Sequence, residues 1–140
     1  MAAAGRFFSK AFSSTAASNE TQFRAVADSA QDAIITADAS GNIRYFNPAA
    51  ERIFGYAAAE IATKPLVTLM PQRYHEPHLS GIRRFLETGE KRILGRTVDV
   101  SARRKDGSEF PAEISLATWR GDGGPMFTAI IRELSERKRA

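Results

Sequence analysis

The sequence predicts an α+β domain in which a five-stranded antiparallel sheet carries short helices packed on one face. Two short β-branched segments near the start flank a glycine turn, and three longer segments with alternating apolar residues follow near the end. Short helical segments with capping residues lie between these two groups. The economical arrangement packs them against the apolar face of a single sheet.

The chain has 140 residues, which is enough for one domain with its own core but too few for two. No apolar run approaches the roughly 18 residues of a membrane-spanning helix. The chain contains no cysteine, which excludes disulfides, thiol catalysis and any cofactor held through a thiol bond. We therefore expect a cytoplasmic protein without a membrane span.

The formal net charge of the chain is +4. Basic residues are frequent between positions 83 and 105 and again between 132 and 139. Aromatic residues do not alternate with them, as a base-stacking surface requires. These charges are typical of a solvated face, and we expect no nucleic-acid binding.

Residues 1–18 differ in composition from the rest of the chain. They are rich in alanine and serine, contain no acidic residue, and place Phe7, Phe8 and Phe12 on one side of a helix. This composition resembles an organellar transit peptide. We favour an N-terminal arm, helical or disordered, whose phenylalanines cover an apolar patch on the domain or on a second copy.

The domain is predicted to span residues 19–134. A first helix begins after a polar capping residue, and its apolar side contains Phe23, Val26 and Ala27. Two short strands then flank a turn that contains Gly41, and this pattern predicts a hairpin.

Proline and glycine mark the helices that follow the hairpin. Asn47 is predicted to cap a helix that begins at Pro48, where the missing N–H costs nothing, and ends at Gly55. A second short helix covers about residues 57–62. A longer amphipathic helix is predicted to begin at Pro77.

After residue 89 the apolar period changes from 3.6 to 2, which predicts three antiparallel strands. The first two flank a hairpin turn at Asp106-Gly107, and the last strand ends at Leu134. Residues 135–140 are polar and are predicted to begin a C-terminal signalling helix.

Several motifs resemble the PAS domain family in their order and spacing. ADSAQDAIITADASGNIRYFNPAAERIFGY resembles its first half, RRKDGSEFPAEISLATW its two long strands, and IIRELSERKR its last strand with the start of a signalling helix. The resemblance covers residues 23–139. The family's usual Asp-Ile-Thr is replaced by Glu133-Leu134-Ser135, which keeps a carboxylate on a longer side chain.

This resemblance implies a sensory and signal-transduction module rather than an enzyme. It implies a homodimer that senses a ligand and relays the change to an output kinase, cyclase or other effector, downstream or in a partner chain, as in two-component systems. Flavin adducts and thiol-attached chromophores of PAS domains need a cysteine that this chain lacks. The remaining candidate cofactor is haem b.

Residues 69–107 are similar, without a gap, to the haem-binding PAS domains of FixL-type oxygen sensors. The resemblance implies that His78 is the axial ligand of the haem iron. It also implies that Ile93, Ile114 and Leu116 form the apolar distal pocket.

The pocket departs from the FixL pattern at one position. Val98 stands where the distal arginine is expected, and Arg96, on the same strand face, either reaches the pocket mouth or faces water. His78 borders the apolar side of its helix in either case. We expect a PAS module in which His78 is a packed helix residue. The alternative is a haem sensor of oxygen, carbon monoxide or nitric oxide with His78 bound to iron.

Other polar and aromatic residues are predicted to be structural. His75 and His78 supply too few ligands for a zinc site. Trp119 is predicted to contribute sheet packing or a dimer contact. Asp99 and Glu113 are predicted to be solvated charges on neighbouring strands, since no nucleophile or base accompanies them.

Overall fold

Five antiparallel strands form one sheet. The computed structural model describes residues 21–78, 97–121 and 123–134. The strands are β1 (Ala33–Asp38), β2 (Ile43–Phe46), β3 (Thr97–Arg103), β4 (Glu109–Gly121) and β5 (Gly124–Glu133). Their order across the sheet is β2-β1-β5-β4-β3, with every neighbouring pair antiparallel. The predicted α+β class and the five-stranded antiparallel sheet are confirmed.

Short helices lie before β1 and between β2 and β3. They are α1 (residues 21–29), α2 (Pro48–Phe54), α3 (Ala58–Ile61) and α4 (from residue 75, described to residue 78), with 3₁₀ helices at Leu66–Leu69 and Gln72–Tyr74.

The start of α4 differs from the prediction. The sequence predicts a start at Pro77, but the helix begins two residues earlier because the 3₁₀ helix Gln72–Tyr74 runs directly into it and His75 already has helical torsion angles. The predicted N-terminal arm, residues 79–88 of the predicted amphipathic helix and the predicted C-terminal helix at 135–140 lie outside the described residues.

The ends of α2 follow the predicted signals. Asn47 is the N-cap in an extended conformation, and Pro48 occupies the first helical position. Gly55 ends the helix with φ 86°, a left-handed conformation that favours glycine. The sequence therefore predicted both ends of this helix correctly.

Asn47 connects α1, β1 and α2 through one buried amide. Its side chain is fully buried. Oδ1 accepts hydrogen bonds from the backbone N–H groups of Ile34 and Ala50, each at 2.9 Å. Nδ2 donates to the carbonyl oxygens of Ala27 and Asp32 at 2.8 and 3.1 Å. The amide thus makes two accepted and two donated hydrogen bonds, which fills its capacity.

The core lies between the sheet and the helices α2 and α3. At its centre the ring of Phe54 is 6.1 Å from that of Phe46 and 5.4 Å from that of Phe110. We call the face of the sheet that packs on this core the inner face and the opposite one the outer face. Further buried residues of the core are Ala33, Ile35, Ile43, Ala50, Ile61, Leu69, Ala102, Ala112, Ala129 and Ile131.

Tyr45 of β2 lies on the outer face. It pairs with Thr36, which alternates along β1 with the inward-facing Ile35. α1 covers this part of the outer face: the ring of Phe23 lies 5.6 Å from that of Tyr45. The carboxylate of Asp28 accepts a 2.5 Å hydrogen bond from the Tyr45 hydroxyl. Burial and this hydrogen bond raise the pKa of Tyr45.

The predicted apolar side of α1 is only partly buried. Ala27 is 1% exposed, as expected for a core residue, but Phe23 is 43% and Val26 69% exposed. The difference arises because α1 packs at the β2 edge and contacts Tyr45 rather than the core. Phe23 and Val26 therefore add apolar surface to the exterior of the domain.

Replacement of Asn47 by alanine should lower the free energy of unfolding by about 3 kcal/mol, because it removes four hydrogen bonds to buried or partly buried backbone groups. Urea denaturation at pH 7 measures the loss. Asn42→Ala is a matched control, since Asn42 bonds to Asp38 through its backbone, and it should cost less than about 0.5 kcal/mol. Equal losses in the two variants would contradict the role given to the Asn47 amide.

Candidate functional site

The segment that leads into α4 is anchored to the start of β4. Arg73 donates two hydrogen bonds to the carboxylate of Glu109, at 3.1 Å from Nη1 and 2.9 Å from Nη2. This bidentate pair lowers the pKa of Glu109. It fixes the polypeptide just before the two histidines relative to the sheet.

The two histidines have different environments. Nε2 of His75 lies 2.9 Å from the carbonyl oxygen of Met70. A carbonyl oxygen only accepts hydrogen bonds, so this nitrogen carries a proton and donates it. Nε2 of His75 is therefore engaged within the loop and is not available to bind a metal.

His78 has a buried ring nitrogen without such a partner. Its Nε2 is shielded from solvent and makes no hydrogen bond with the part of the chain that the structure describes. Burial lowers the pKa of His78, and electrostatic interaction with the neighbouring His75 lowers it further. The imidazole is neutral at pH 7. An unpaired buried polar atom costs about 1–3 kcal/mol.

The apolar residues implied by the family resemblance occupy the inner face of β3 and β4. Ile114 and Leu116 are half-buried and pack against the core. Val98 pairs with Ile114 across the two strands and offers no polar group. Ile93 and Arg96, the other two residues of the predicted pocket, lie outside the described residues.

A half-buried, neutral imidazole whose shielded Nε2 has no partner among the described residues is the type of donor that haem iron binds. His78 therefore fits the role of an axial ligand, and the apolar residues Ile114 and Leu116 suit the wall of a haem pocket. His75 does not fit this role because its Nε2 is hydrogen bonded. Within the described ranges, no cluster of three or more His, Asp or Glu residues is arranged to hold a metal ion.

The other residues singled out in the sequence lie on the outer face. Asp99 and Glu113 stand directly opposite each other on β3 and β4, as predicted for cross-strand charges. Trp119 is 48% exposed. Its Nε1 donates a 2.8 Å hydrogen bond to Oγ1 of Thr128, which fixes the indole on the sheet.

Sequence reasoning overlooked Arg104. This residue follows β3 and forms a 2.6 Å ion pair with Glu133 at the end of β5. The carboxylate of Glu133, which replaces the aspartate of the usual Asp-Ile-Thr, therefore has a cationic partner. The basic pair Arg104-Lys105 in the hairpin indicated that a cation lies there, but nothing in the sequence indicated which residues the cation contacts.

The family model described as PAS fold matches residues 21–134. This chain belongs to the PAS family. The match includes all five strands and α1 to α4, so the PAS domain accounts for most of the chain.

Relatives of this PAS domain include proteins named as sensors. It is 34% identical to the sensor protein FixL of Bradyrhizobium diazoefficiens, over 85% of this chain and 24% of FixL. It is 29% identical to the oxygen sensor protein DosP of Escherichia coli, over 66% of this chain and 12% of DosP. It is 27% identical to the sensor histidine kinase TmoS of Ectopseudomonas mendocina, over 87% of this chain and 12% of TmoS. The PAS domain thus spans at most a quarter of these relatives.

A solved structure supports the fold. The PAS domain of an HTR-like protein from Haloarcula marismortui has a TM-score of 0.68 and 21% sequence identity, over 89% of this chain and 98% of that one. Within the described ranges of this PAS domain, no helix has the length and apolarity needed to cross a membrane.

Substitution of His78 by leucine should raise the free energy of unfolding by about 1 kcal/mol, because it removes an unpaired buried nitrogen. The gain should grow as the pH falls below 6.5, the ordinary pKa of histidine. Below this pH, His78 of the unfolded wild type binds a proton, whereas His78 of the folded protein binds it less readily. Protonation of His78 therefore favours unfolding of the wild type, and this effect is absent from His78→Leu.

Urea denaturation at pH 7 and pH 5 measures both effects. His75→Leu is the matched control and should destabilise, since it removes the hydrogen bond to Met70. A loss of stability in His78→Leu at both pH values would show that Nε2 has a partner.

Proposed function

We propose that this PAS domain is the sensory input unit of a larger signalling protein. A ligand binds between the helices and the inner face of the sheet, and the change is relayed to an output kinase, cyclase or other effector, in the same chain or in a partner. The names of FixL and TmoS support this proposal, since both are sensors much longer than the matched segment. The enzymatic output lies outside the PAS domain in this proposal.

The position of β5 is the observation that carries the proposal. This strand lies between β1 and β4 and pairs with both. Its inner-face residues Phe127, Ala129 and Ile131 are buried in the core. The chain then leaves the sheet directly after Glu133. A change in core packing therefore acts on the strand that leads out of the domain.

A chimaeric kinase tests the relay. Residues 21–134 replace the matching segment of TmoS, and alanines are inserted directly after Leu134. If a helix carries the signal, an insertion of seven residues should keep autophosphorylation within about twofold, because it adds nearly two complete turns. An insertion of two residues rotates the output by about 200° and should reduce activity at least about fivefold. Activity that is independent of insertion length would contradict the relay.

A haem b gas sensor is the second candidate, and the unpartnered Nε2 of His78 favours it. The name of the oxygen sensor DosP points in the same direction. In this version His78 binds the iron, while Ile114 and Leu116, with Ile93 and Arg96, form the pocket. Haem supplies reversible binding of oxygen, carbon monoxide or nitric oxide. Val98 provides no hydrogen bond to such a ligand, which disfavours oxygen relative to the other two gases.

Added haem separates the two candidates. If haem is the cofactor, wild type and His75→Ala should develop a Soret absorption band, and His78→Ala should not, because it lacks the axial nitrogen. Light scattering and circular dichroism check that all three proteins are folded. A wild-type protein that remains colourless after haem addition eliminates the haem candidate and leaves the first proposal intact.

We also propose that the PAS domain forms a homodimer through its outer face. Trp119 is 48% and Ile130 45% exposed on this face, and Phe23 and Val26 of α1 add 43% and 69% exposed apolar side chains. Apolar patches on a protein exterior mark contacts with other proteins, and we propose that these residues contribute to one such patch. The N-terminal arm, residues 1–18, is expected to extend the same interface.

Replacing Ile130 by glutamate should weaken the dimer at least about tenfold, because a charge is placed in an apolar interface. Light scattering over a concentration series measures the dissociation constant. Ala62→Glu is the control, since Ala62 is exposed at the end of α3. Removal of residues 1–18 should weaken the dimer further. An unchanged mass in Ile130→Glu would argue against this interface.

A further inference from the structure

Arg104 contacts three separate parts of the domain. Its Nη1 donates a 2.6 Å hydrogen bond to the carbonyl oxygen of Ile53 in α2. Its Nη2 donates a 2.6 Å hydrogen bond to Oε2 of Glu133, the last residue of β5. The guanidinium carbon lies 4.1 Å from the ring centroid of Phe110 in the core. One side chain therefore connects a helix, the core and the end of the central strand.

The hairpin between β3 and β4 holds the C-terminal end of α2. The last carbonyl groups of a helix lack partners within the helix. The carbonyl oxygen of Ile53 is bonded by Arg104, and that of Phe54 accepts a 2.9 Å hydrogen bond from the backbone N–H of Lys105. A movement at the end of α2 therefore acts directly on this hairpin.

The exit of β5 is held at two adjacent positions. Glu133 pairs with Arg104. The backbone N–H of Leu134 donates a 2.9 Å hydrogen bond to the carbonyl oxygen of Pro111, and its side chain is 4% exposed. Loss of the Glu133 side-chain contact leaves the exit attached to the sheet through the backbone pairing of Glu133 with Ala112 and through Leu134.

We propose that Arg104 is the positioning residue that couples the end of α2 to the exit of β5. The two Nη groups belong to one rigid plane, so a shift of the Ile53 carbonyl either breaks one hydrogen bond or turns the group away from Glu133. The ring of Phe110 supports this plane and itself packs 5.4 Å from Phe54 of α2. This inference rests on the proposed function and specifies its route from the helices to the output.

A second Arg–Glu pair provides a matched control. Arg73 directs both nitrogens to the same carboxylate, that of Glu109. Among the described residues, this pair joins the 3₁₀ helix Gln72–Tyr74 to the start of β4. Its loss removes an Arg–Glu pair without affecting the proposed coupling.

Amide hydrogen exchange of the full chain measures the coupling. Gly55→Ala strains the end of α2, because residue 55 has a left-handed φ of +86°. The substitution causes no steric clash, because the added Cβ lies 3.6 Å from Cβ of Lys105. The quantity measured is the exchange rate of the Leu134 amide divided by that of the Ile34 amide. The Ile34 amide is hydrogen bonded to Asn47, so its exchange rate reports opening of the whole fold. In otherwise wild-type protein, Gly55→Ala should raise this ratio about tenfold.

The response should depend on Arg104. In Arg104→Met alone, the ratio should already be higher than in the wild type. Adding Gly55→Ala to this variant should change the ratio less than about twofold, because the side chain that connects Ile53 to Glu133 is absent. Arg104→Lys should behave in the same way, since an ammonium lacks the planar fork. In an Arg73→Met background, the full tenfold response should remain.

Two outcomes would overturn the inference. One is a tenfold response to Gly55→Ala that persists in Arg104→Met. The other is equal acceleration at Leu134 and Ile34 in Arg104→Met, which would make Arg104 a residue of general stability. Either result leaves the insertion-length dependence of the TmoS chimaera unaffected, so failure of this route is distinguishable from failure of the sensory function.

Discussion

The side-chain amide of Asn47 is the interaction on which the arrangement of the domain depends. It bonds backbone groups of Ala27, Asp32, Ile34 and Ala50, which belong to the end of α1, the approach to β1, β1 itself and the first turn of α2. These groups lie at the ends of elements, where regular secondary structure leaves donors and acceptors unpaired. One buried amide therefore bonds to four of them and sets the direction of α2. The central position of Phe54 and the placement of the Ile53 carbonyl follow from that direction.

Asn47 and His78 show opposite uses of a buried polar group. The Asn47 amide has all its hydrogen bonds and stabilises the fold. Nε2 of His78 is buried without a partner among the described residues and weakens it. In the haem proposal, a bond from this nitrogen to the iron would offset the cost of its burial and so contribute to the affinity for haem. The contrast with His75, whose Nε2 bonds to Met70, makes His78 rather than His75 the candidate ligand in the haem proposal.

The two faces and the exit of the sheet have separate roles in the proposed sensor. The inner face carries the core and the residues of the candidate pocket. The outer face presents Trp119 and Ile130 beside α1 and suits a second copy of the chain. β5 belongs to both faces because alternate residues point in opposite directions. A change in the pocket and a change at the dimer interface therefore act on the same strand, and Arg104 adds a connection from α2 to its end.

The sequence by itself determined the elements and the family. Alternation of apolar residues indicated the strands, and local capping signals at Asn47, Pro48 and Gly55 set both ends of α2, because such patterns depend on neighbours within a few residues. The tertiary structure decided which distant groups meet. Asn47 reaches Ala27, 20 residues earlier, and Arg104 bonds Ile53 and Glu133, which are 51 and 29 residues away. It also decided that α1 packs on Tyr45 and leaves Val26 exposed. Likewise it decided that Nε2 of His75 is hydrogen bonded, whereas Nε2 of His78 has no partner among the described residues. A local pattern specifies which side of an element is apolar, whereas hydrogen bonds between remote residues depend on the path of the whole chain.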